Sequence, residues 1–142
     1  MISISRLTRY SERAREDING LLPQLSSSAK PLSPANLKKI FSDGNSALFI
    51  VRDKTRIVGM GTVVLMRIPM FLCAWMEDVV VDKEYRNRGI GSALVKKLIA
   101  HARAKRAKHL NFTSRRNRKE ANKWYLKMGF IKRETNVYRI SL

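Results

Sequence analysis

Val79-Val80-Val81-Asp82-Lys83-Glu84-Tyr85-Arg86-Asn87-Arg88-Gly89-Ile90-Gly91-Ser92-Ala93-Leu94 is the stretch of sequence that decides the fold. A valine run passes through a charged loop into two glycines, and apolar residues then recur at helical spacing. This pattern predicts a strand, a loop and a helix that opens at the glycines. Because Gly89 and Gly91 lack side chains and a helix N-terminus carries partial positive charge, the backbone N–H groups there can bind an anion closely. The positive charges of Arg86 and Arg88 strengthen this attraction for an anion.

Two common phosphate-binding motifs do not fit this loop. A Walker loop requires Lys and then Ser or Thr after its last glycine, whereas Gly91 is followed by Ser92 and Ala93. A dinucleotide fingerprint requires a third glycine and a later acidic residue, and Leu94 and Asn111 stand at those positions. The remaining alternatives are another kind of anion site or an ordinary glycine turn at a helix start.

Length and composition indicate one domain over residues 1–142. The chain has 142 residues, of which 44% are apolar, enough for one core. Its single cysteine, Cys73, excludes an internal disulfide and suits a reducing cytoplasm, and with two histidines it offers no metal cluster. A net charge of +18 predicts non-specific attraction to nucleic acids and other polyanions.

The longest apolar stretch, 57–76, approaches the length that spans a membrane. Arg67 and Pro69 interrupt it, and Gly59 and Gly61 reduce its apolar content, marking a bend or close packing. We interpret it as two strands and a turn, and we expect no membrane partner.

Period-2 patterns and continuous apolar runs predict strands, while apolar residues three and four apart predict helices. The predicted strands cover residues 2–7, 47–51, 56–66, 72–81, 109–114, 130–132 and 136–140. The predicted helices run from Ser11 to a stop at Pro23, from an N-cap at Ser33 to the turn 43–45, from the glycine loop through apolar positions as far as Ala102, and from Asn117 to Met128. The fold class is therefore α/β, of the α+β kind.

Two details place the loop and the last helix. A strand, a helix and another strand favour a parallel pair with a right-handed crossover, which puts the glycine loop at the carboxyl end of its strand, where open sheets bind ligands. Asn117, with Glu120 three residues later, has the pattern of an N-cap and its capping-box partner, and Gly129 ends that helix.

Glu77 and Asp78 are adjacent carboxylates within an otherwise apolar strand. Neighbouring strand residues point to opposite faces, so only one of the pair can face a given cleft unless a bulge intervenes. Burial on such a strand would raise the pKa of a carboxyl group towards neutrality, which suits a general base. The structural alternative is an ion pair with an arginine.

Two hallmarks of the GNAT superfamily of N-acetyltransferases resemble segments of this chain. The first is Arg-X-X-Gly-X-Gly after a valine-rich strand, at residues 86–91. The second is Ala-X-X-hydrophobic-Tyr-X-X-hydrophobic-Gly-Phe, which residues 121–130 fill at every fixed position. The family often has an asparagine three residues before that alanine, where this chain has Arg118, with Asn117 one residue earlier. The resemblance covers roughly residues 48–142.

The resemblance implies a mixed, mostly antiparallel twisted sheet of about six to seven strands with about four helices. Two central parallel strands would splay apart where acetyl-CoA binds. It further implies direct transfer of an acetyl group from acetyl-CoA to an amine, without a metal or a covalent enzyme intermediate. The residues that it implies for acetyl-CoA are Val79, Val80, Val81, Arg86, Asn87, Arg88, Gly89, Ile90, Gly91, Ser92, Asn117 and Tyr125.

The resemblance also implies catalytic roles. Glu77 is the preferred general base that deprotonates the amine, often through water, and Asp78 is the second choice. Tyr125 stands where the family places the acid that protonates the leaving thiolate. A backbone N–H within 79–81 would stabilise the developing oxyanion.

The acceptor amine is undetermined, because acceptor pockets are built by the amino-terminal third, where only the order of elements matches. The family is compatible with a homodimer. The alternative function is a GNAT-fold module that binds polyanions or nucleic acid with weak or no catalysis, motivated by the basic runs at 103–108 and 115–119.

Overall fold

The computed structural model describes residues 1–142, which form two compact units, Met1–Phe112 and Thr113–Leu142. The first unit contains five strands and three helices in the order β1 Ile2–Arg6, α1 Glu12–Leu25, α2 Pro34–Ser42, β2 Ser46–Asp53, β3 Arg56–Arg67, β4 Leu72–Val81, α3 Ile90–Ala104 and β5 Leu110–Asn111. A short 3₁₀ helix over Lys83–Tyr85 joins β4 to α3. The second unit contains α4, Lys119–Lys127.

The sheet has the strand order β1-β2-β3-β4-β5. The first three pairings are antiparallel, and β4 with β5 is parallel, which confirms the predicted α/β class with four helices and a mixed sheet. The β4–β5 pairing covers only Ala74↔Leu110 and Trp75↔Asn111. The predicted count of six to seven strands was wrong, and β5 is an edge strand, not a central one.

The missing strands are the two predicted at the carboxyl end of the chain. Residues 130–132 and 136–140 have no regular secondary structure, and the strand expected over 109–114 is reduced to Leu110–Asn111. Ile131, Val137, Tyr138 and Ile140 are all exposed. Strand propensity forms a strand only when a partner ladder and a buried face support it, and this segment has neither.

Hydrophobic clusters lie on the two faces of the sheet. On one face, Ile18 and Leu21 of α1 and Leu37 of α2 pack with sheet residues that include Ile50 and Met60. On the other, Ile90 and Leu94 of α3 pack against Val51 and Val58. The apolar residues whose spacing predicted these helices are thus the residues whose side chains are buried against the sheet.

The first two helices begin as predicted. Ser11 and Ser33 cap α1 and α2, each accepting a 3.1 Å bond from the backbone N–H three residues on. The prediction that Pro23 stops α1 was wrong, because the helix continues to Leu25. Pro23 removes one N–H from the last turn only, and the N–H of Ser26 still bonds to the carbonyl of Leu22 at 3.0 Å.

Glycine on β3 permits close packing, as the sequence predicted. A Cβ added to Gly61 would lie 2.9 Å from Leu98 Cδ1 of α3 and 3.3 Å from Val79 Cγ2 of β4. Leu98 is fully buried. The absence of a side chain therefore lets α3 approach the sheet beside the part of β4 that leads into the glycine loop.

The apolar stretch 57–76 forms β3, a turn and β4, as predicted. No helix of the protein has both the length and the apolar character needed to cross a bilayer.

Candidate active site

A β-bulge lies in β4 at the adjacent carboxylates. Thr62 pairs with Glu77, but Met60 pairs with Val80, so one residue of β3 faces two residues of β4. Asp78 takes a left-handed backbone conformation with φ of 53°. Because the bulge interrupts the strand alternation, Glu77 and Asp78 are no longer required to lie on opposite faces of the sheet.

The bulge also changes which backbone groups of β4 point away from β3. The N–H of Asp82 bonds to the carbonyl of Val58 at 2.8 Å, and antiparallel ladders alternate bonded and non-bonded pairs. Val81, opposite Gly59, is therefore a non-bonded position whose N–H and C=O point towards the β5 side. The N–H and C=O of Val79, two residues earlier in the strand, point the same way. Since β5 pairs only as far as Trp75, no strand of the first unit bonds to these groups.

Asp82 organises the loop that follows β4. Its side chain is buried, with the residue 4% exposed, and it accepts a 2.9 Å bond from the Arg56 guanidinium. Its other carboxylate oxygen accepts the backbone N–H of Glu84 at 3.1 Å. Sequence reasoning missed this role, although an aspartate directly after an apolar strand and before a short helix is an N-cap signal.

Arginine side chains and one tyrosine brace the loop from outside. Arg86 Nε donates to the Val81 carbonyl at 2.9 Å, and Arg88 donates to the Glu84 carbonyl at 3.0 Å while lying over the Tyr85 ring. The Tyr85 hydroxyl donates to Asp53 at 2.9 Å, and that bond is the main cause that lowers the pKa of Asp53 and raises the pKa of Tyr85. Each guanidinium has five N–H donors, so donors remain for a ligand.

The N-terminus of α3 differs from those of α1 and α2. Its N-cap is Gly89, with φ of 75°, and no side chain caps it. Its first turn holds no acidic residue. The first N–H groups of a helix have no intrahelical acceptor, so this end presents donors and partial positive charge beside Arg86 and Arg88. Asn87, with φ of 61°, makes the preceding turn.

The two proposed bases, Glu77 and Asp78, are both exposed. The expectation that burial raises the pKa of a carboxyl group on this strand was therefore wrong in its premise. The bulge places these residues at the surface, directly before the open backbone positions Val79 and Val81.

A cavity of about 250 Å³ lies between α1 and the start of the loop. Asp17 accepts the backbone N–H of Ile57, and Gln24 accepts that of Lys83, each at 2.9 Å. The polar groups here fasten α1 to the sheet and to the loop. The lining residues are Glu16, Asp17, Gly20, Leu21, Gln24, Arg56, Ile57, Asp82, Lys83 and Glu84.

In the second unit, a Schellman motif ends α4. The N–H of Gly129 bonds to the Leu126 carbonyl at 3.0 Å, and that of Phe130 bonds to the Tyr125 carbonyl at 3.2 Å. Gly129 has φ of 96°, the left-handed conformation that this motif requires. The Tyr125 and Phe130 rings meet edge to face, with centroids 6.1 Å apart. The sequence spacing Tyr-X-X-X-Gly-Phe thus places glycine at the left-handed position that ends the helix, and it brings the Tyr and Phe rings into contact.

Burial raises the pKa of Tyr125, and the charge of Arg118 opposes that shift. A raised pKa keeps the phenol protonated at neutral pH, as a proton donor requires.

Asn117 does not cap α4, so that prediction was wrong. The N-cap is Arg118, which makes no side-chain capping bond. Instead, the N–H of Arg118 and the amide nitrogen of Asn122 both donate to the carbonyl of Arg115, each at 3.1 Å. The backbone carbonyl of Arg115 organises this turn, and Asn117 lies exposed within it.

The glycine loop, the bulge in β4 and the Schellman motif of α4 all lie within the residues that match the model of a known protein family. The model of the acetyltransferase (GNAT) family matches residues 12–130, a range that extends over most of the first unit and part of the second. The chain belongs to the GNAT family. It is therefore an acyltransferase of a family whose cosubstrate is acetyl-CoA. No group of three or more His, Cys, Asp or Glu side chains forms a metal site in this GNAT protein.

Solved structures of other acetyltransferases have similar folds. An acetyltransferase from Trypanosoma brucei superimposes with a TM-score of 0.82 at 25% identity, over 100% of both chains. Glucosamine-6-phosphate N-acetyltransferase from Arabidopsis thaliana gives 0.83 at 19% identity, over 99% of this GNAT chain and 98% of the other. AAC(6')-Iy, in complex with the bisubstrate analogue CoA-S-monomethyl-acetylneamine, gives 0.81 at 16%, over 100% and 99%. No curated protein sequence matches the chain.

Proposed function

We propose that this protein transfers the acetyl group of acetyl-CoA directly to a primary amine on a small molecule or a protein. One observation carries the proposal: the bulged end of β4, whose outer edge has no strand partner within the first unit, leads through a short 3₁₀ helix to an uncapped helix N-terminus preceded by Arg86 and Arg88. The outward groups of Val79 and Val81 suit the amide groups of the pantetheine arm. The N–H groups at Gly89–Ser92 suit the pyrophosphate.

The chemistry needs a neutral amine, an acceptor for its proton and a donor for the thiolate. The amine nitrogen forms a bond to the thioester carbonyl carbon and loses its second proton to water. The carbon–sulfur bond breaks, and the sulfur leaves as a thiol with a proton from the acid. The ammonium form of the amine first loses a proton to Glu77, through water that reaches this exposed carboxylate. Asp78 is the second candidate base. An outward N–H of Val79 or Val81 stabilises the negative charge that develops on the carbonyl oxygen.

Tyr125 is our candidate for the acid that protonates the departing sulfur. Two observations support it: burial raises the pKa of its phenol, and the Schellman end of α4 fixes its backbone and ring. Asn117 contributes at most a contact to acetyl-CoA, since its capping role is absent.

Release of free thiol from acetyl-CoA in the presence of an amine tests the proposed function. The panel would contain polyamines, amino acids, an aminoglycoside, a glucosamine phosphate and peptides with free N-terminal or lysine amines. We expect thiol release with at least one class and a matching mass increase of the acceptor. Absence of acetyl-CoA binding in calorimetry at about millimolar concentration would refute the proposal.

The base is assigned by the pH dependence of kcat/KM. Glu77→Gln removes the carboxylate and is expected to abolish the acidic limb of the profile. Asp78→Asn is the matched variant, because asparagine tolerates the left-handed backbone that this position needs. An unmoved limb in Glu77→Gln together with a lost limb in Asp78→Asn would reverse the assignment.

Charge distribution favours a second candidate function, a module that binds polyanions. Between Tyr85 and Lys119 the chain has twelve Lys and Arg residues and no Asp or Glu. The basic runs 103–108 and 115–119 contain no Phe, Trp or Tyr, so binding there would engage phosphates and not stack on bases. An RNA complex that survives about 0.2 M salt would support this function, whereas steep loss of binding with salt indicates general attraction.

A further inference from the structure

The turn between β3 and β4 exposes apolar side chains on a convex projection. We define residues 66–71 as the hairpin tip. Met70 is 81% exposed and Met66 is 43% exposed, and Pro69 is also exposed. Reciprocal backbone bonds between Ile68 and Phe71, at 3.0 and 3.2 Å, close the turn. The tip is thus a fixed structure that presents apolar groups to solvent.

The hairpin tip extends beyond the strands on either side of it. On the β2 side, the last ladder pair is Ser46↔Val64, and the last bond joins the N–H of Leu65 to the Asn45 carbonyl. On the other side, contact begins with the N–H of Lys108 and the Leu72 carbonyl, 2.8 Å apart. Neither neighbouring strand forms a backbone bond to residues 66–71, and the ring contacts of the tip with the β5 side are those of Phe71.

Positively charged residues lie within the hairpin tip and in the segment that leads from α3 to β5. We define Arg67 of the tip, together with Lys105, Arg106 and Lys108 after α3, as the basic collar, and all four are exposed. Lys108 Nζ lies 5.5 Å from the centre of the Phe71 ring, and the His109 ring meets the same ring at 5.4 Å. The hairpin contains no Asp or Glu from residue 54 to 76. Asp43, in the loop before β2, is already bonded to the N–H of Asn45 and the hydroxyl of Ser46.

We propose that the hairpin tip and basic collar dock this protein on anionic phospholipid surfaces, with Met70 and its apolar neighbours inserted at the headgroup boundary. Charge complementarity argues against a second copy, because the same collar on both chains would repel. A convex tip needs a cavity in a protein partner, whereas a fluid bilayer rearranges around it. Nucleic acid would use the collar but leaves the apolar residues in water. The proposal reverses the expectation of no membrane partner and does not depend on acetyl transfer.

Sedimentation with lipid vesicles tests the proposal. We expect binding to phosphatidylcholine vesicles that contain about 30 mol% phosphatidylglycerol, and little binding to pure phosphatidylcholine. Because apolar insertion is not screened, a measurable part of the binding should survive about 0.5 M salt. Complete loss of binding at that salt concentration would show general attraction of a basic protein and overturn the proposal.

Substitution of Met70 separates insertion from charge. Met70→Asn is expected to lower the partition coefficient at high salt by about fivefold or more. The matched control is Ile140→Asn, because Ile140 is 83% exposed and its substitution removes an apolar group of similar size without a charge. Equal binding of the two variants would overturn the proposal. So would an equal loss of RNA binding in Met70→Asn, since that outcome assigns the tip to another class of ligand.

Fluorescence locates the inserted residue directly. Pro69→Cys provides a thiol at the tip for an environment-sensitive dye, and the native Cys73 is buried. Vesicles with phosphatidylglycerol should shift the emission to the blue, whereas the same dye on Ser141→Cys should not respond. An unshifted spectrum at the tip under conditions where the protein is bound would refute insertion.

Discussion

The backbone N–H of Phe130 donates to the carbonyl of Tyr125 at 3.2 Å, and the two rings meet edge to face. The helix end thereby fixes the proposed acid. A Schellman motif satisfies carbonyls that a helix end leaves without partners, and its apolar contact joins the residues that this bond connects. The position of Tyr125 and the stability of α4 therefore depend on the same few atoms.

Gly129→Ala should weaken this helix end. At φ of 96° an alanine Cβ is strained, although nothing lies within 4 Å of the added atom. We expect the free energy of unfolding to fall by about 1 to 2 kcal/mol, together with a lower kcat. Denaturant titration and steady-state kinetics measure the two effects.

The matched control is Gly20→Ala, within α1, where a Cβ would also meet nothing. Its conformation is helical, so alanine should raise stability by about 0.5 to 1 kcal/mol. An equal gain of stability in both variants would show that the left-handed conformation of Gly129 carries no strain for alanine.

The glycine loop leads to a prediction about acetyl-CoA affinity. Arg86→Ala removes a guanidinium held beside the helix N-terminus by its bond to Val81. One lost charge-assisted contact should raise the Kd for acetyl-CoA by about tenfold and reduce its salt dependence. Arg103→Ala removes the same charge from the last turn of α3 and should change the Kd by less than about twofold. Equal effects would mean that net charge, and not the loop, determines affinity.

His101 makes the stability of the folded protein depend on pH. Burial lowers the pKa of this histidine, and the charges of Arg6 and Lys105 lower it further. Because the unfolded chain then binds a proton more readily than the folded protein, stability is full above about pH 6.5 and falls as the pH decreases below it. We expect the Tm to fall between about pH 7 and about pH 5, a window above the titration of most carboxylates. His101→Gln, which does not titrate, should show a smaller fall, and parallel curves would contradict this assignment.

Sequence patterns predicted the elements whose signals are local. The bounds of β4 and the start of α3 at Ile90 agree with the prediction, because a continuous apolar run and a glycine start are read within a few residues. Gly129 likewise ends α4 in the structure. The carboxylates at 77 and 78 were identified as unusual on the same local evidence.

Features that depend on distant partners were not predicted. The segment 136–140 has the composition of a strand but lacks a ladder, and β5 is short because β4 pairs with it only at Ala74 and Trp75. The bulge at Asp78 depends on the register between β4 and β3. The sequence of β4 alone does not indicate that register. The convex hairpin tip was correctly predicted as a turn, but its exposure depends on where β2 and β5 end.

Tyr125→Phe tests the proposed acid without disturbing the helix end. The variant keeps the ring that contacts Phe130 and loses only the hydroxyl. We expect kcat to fall by about tenfold to about a thousandfold while the affinity for acetyl-CoA changes little, because only the transition state uses the proton. Tyr138→Phe, at an exposed position, is the matched control and should be neutral.

The pH dependence of the wild-type enzyme distinguishes a proton donor from a packing residue. Since burial raises the pKa of Tyr125, the alkaline decline of kcat that reports its ionisation should have its midpoint above the ordinary tyrosine pKa of about 10. In Tyr125→Phe the small residual rate should lack that decline, since no phenol remains to ionise. If the variant instead turns over at the wild-type rate, water or the acceptor supplies the proton, and the hydroxyl of Tyr125 has no part in the chemistry.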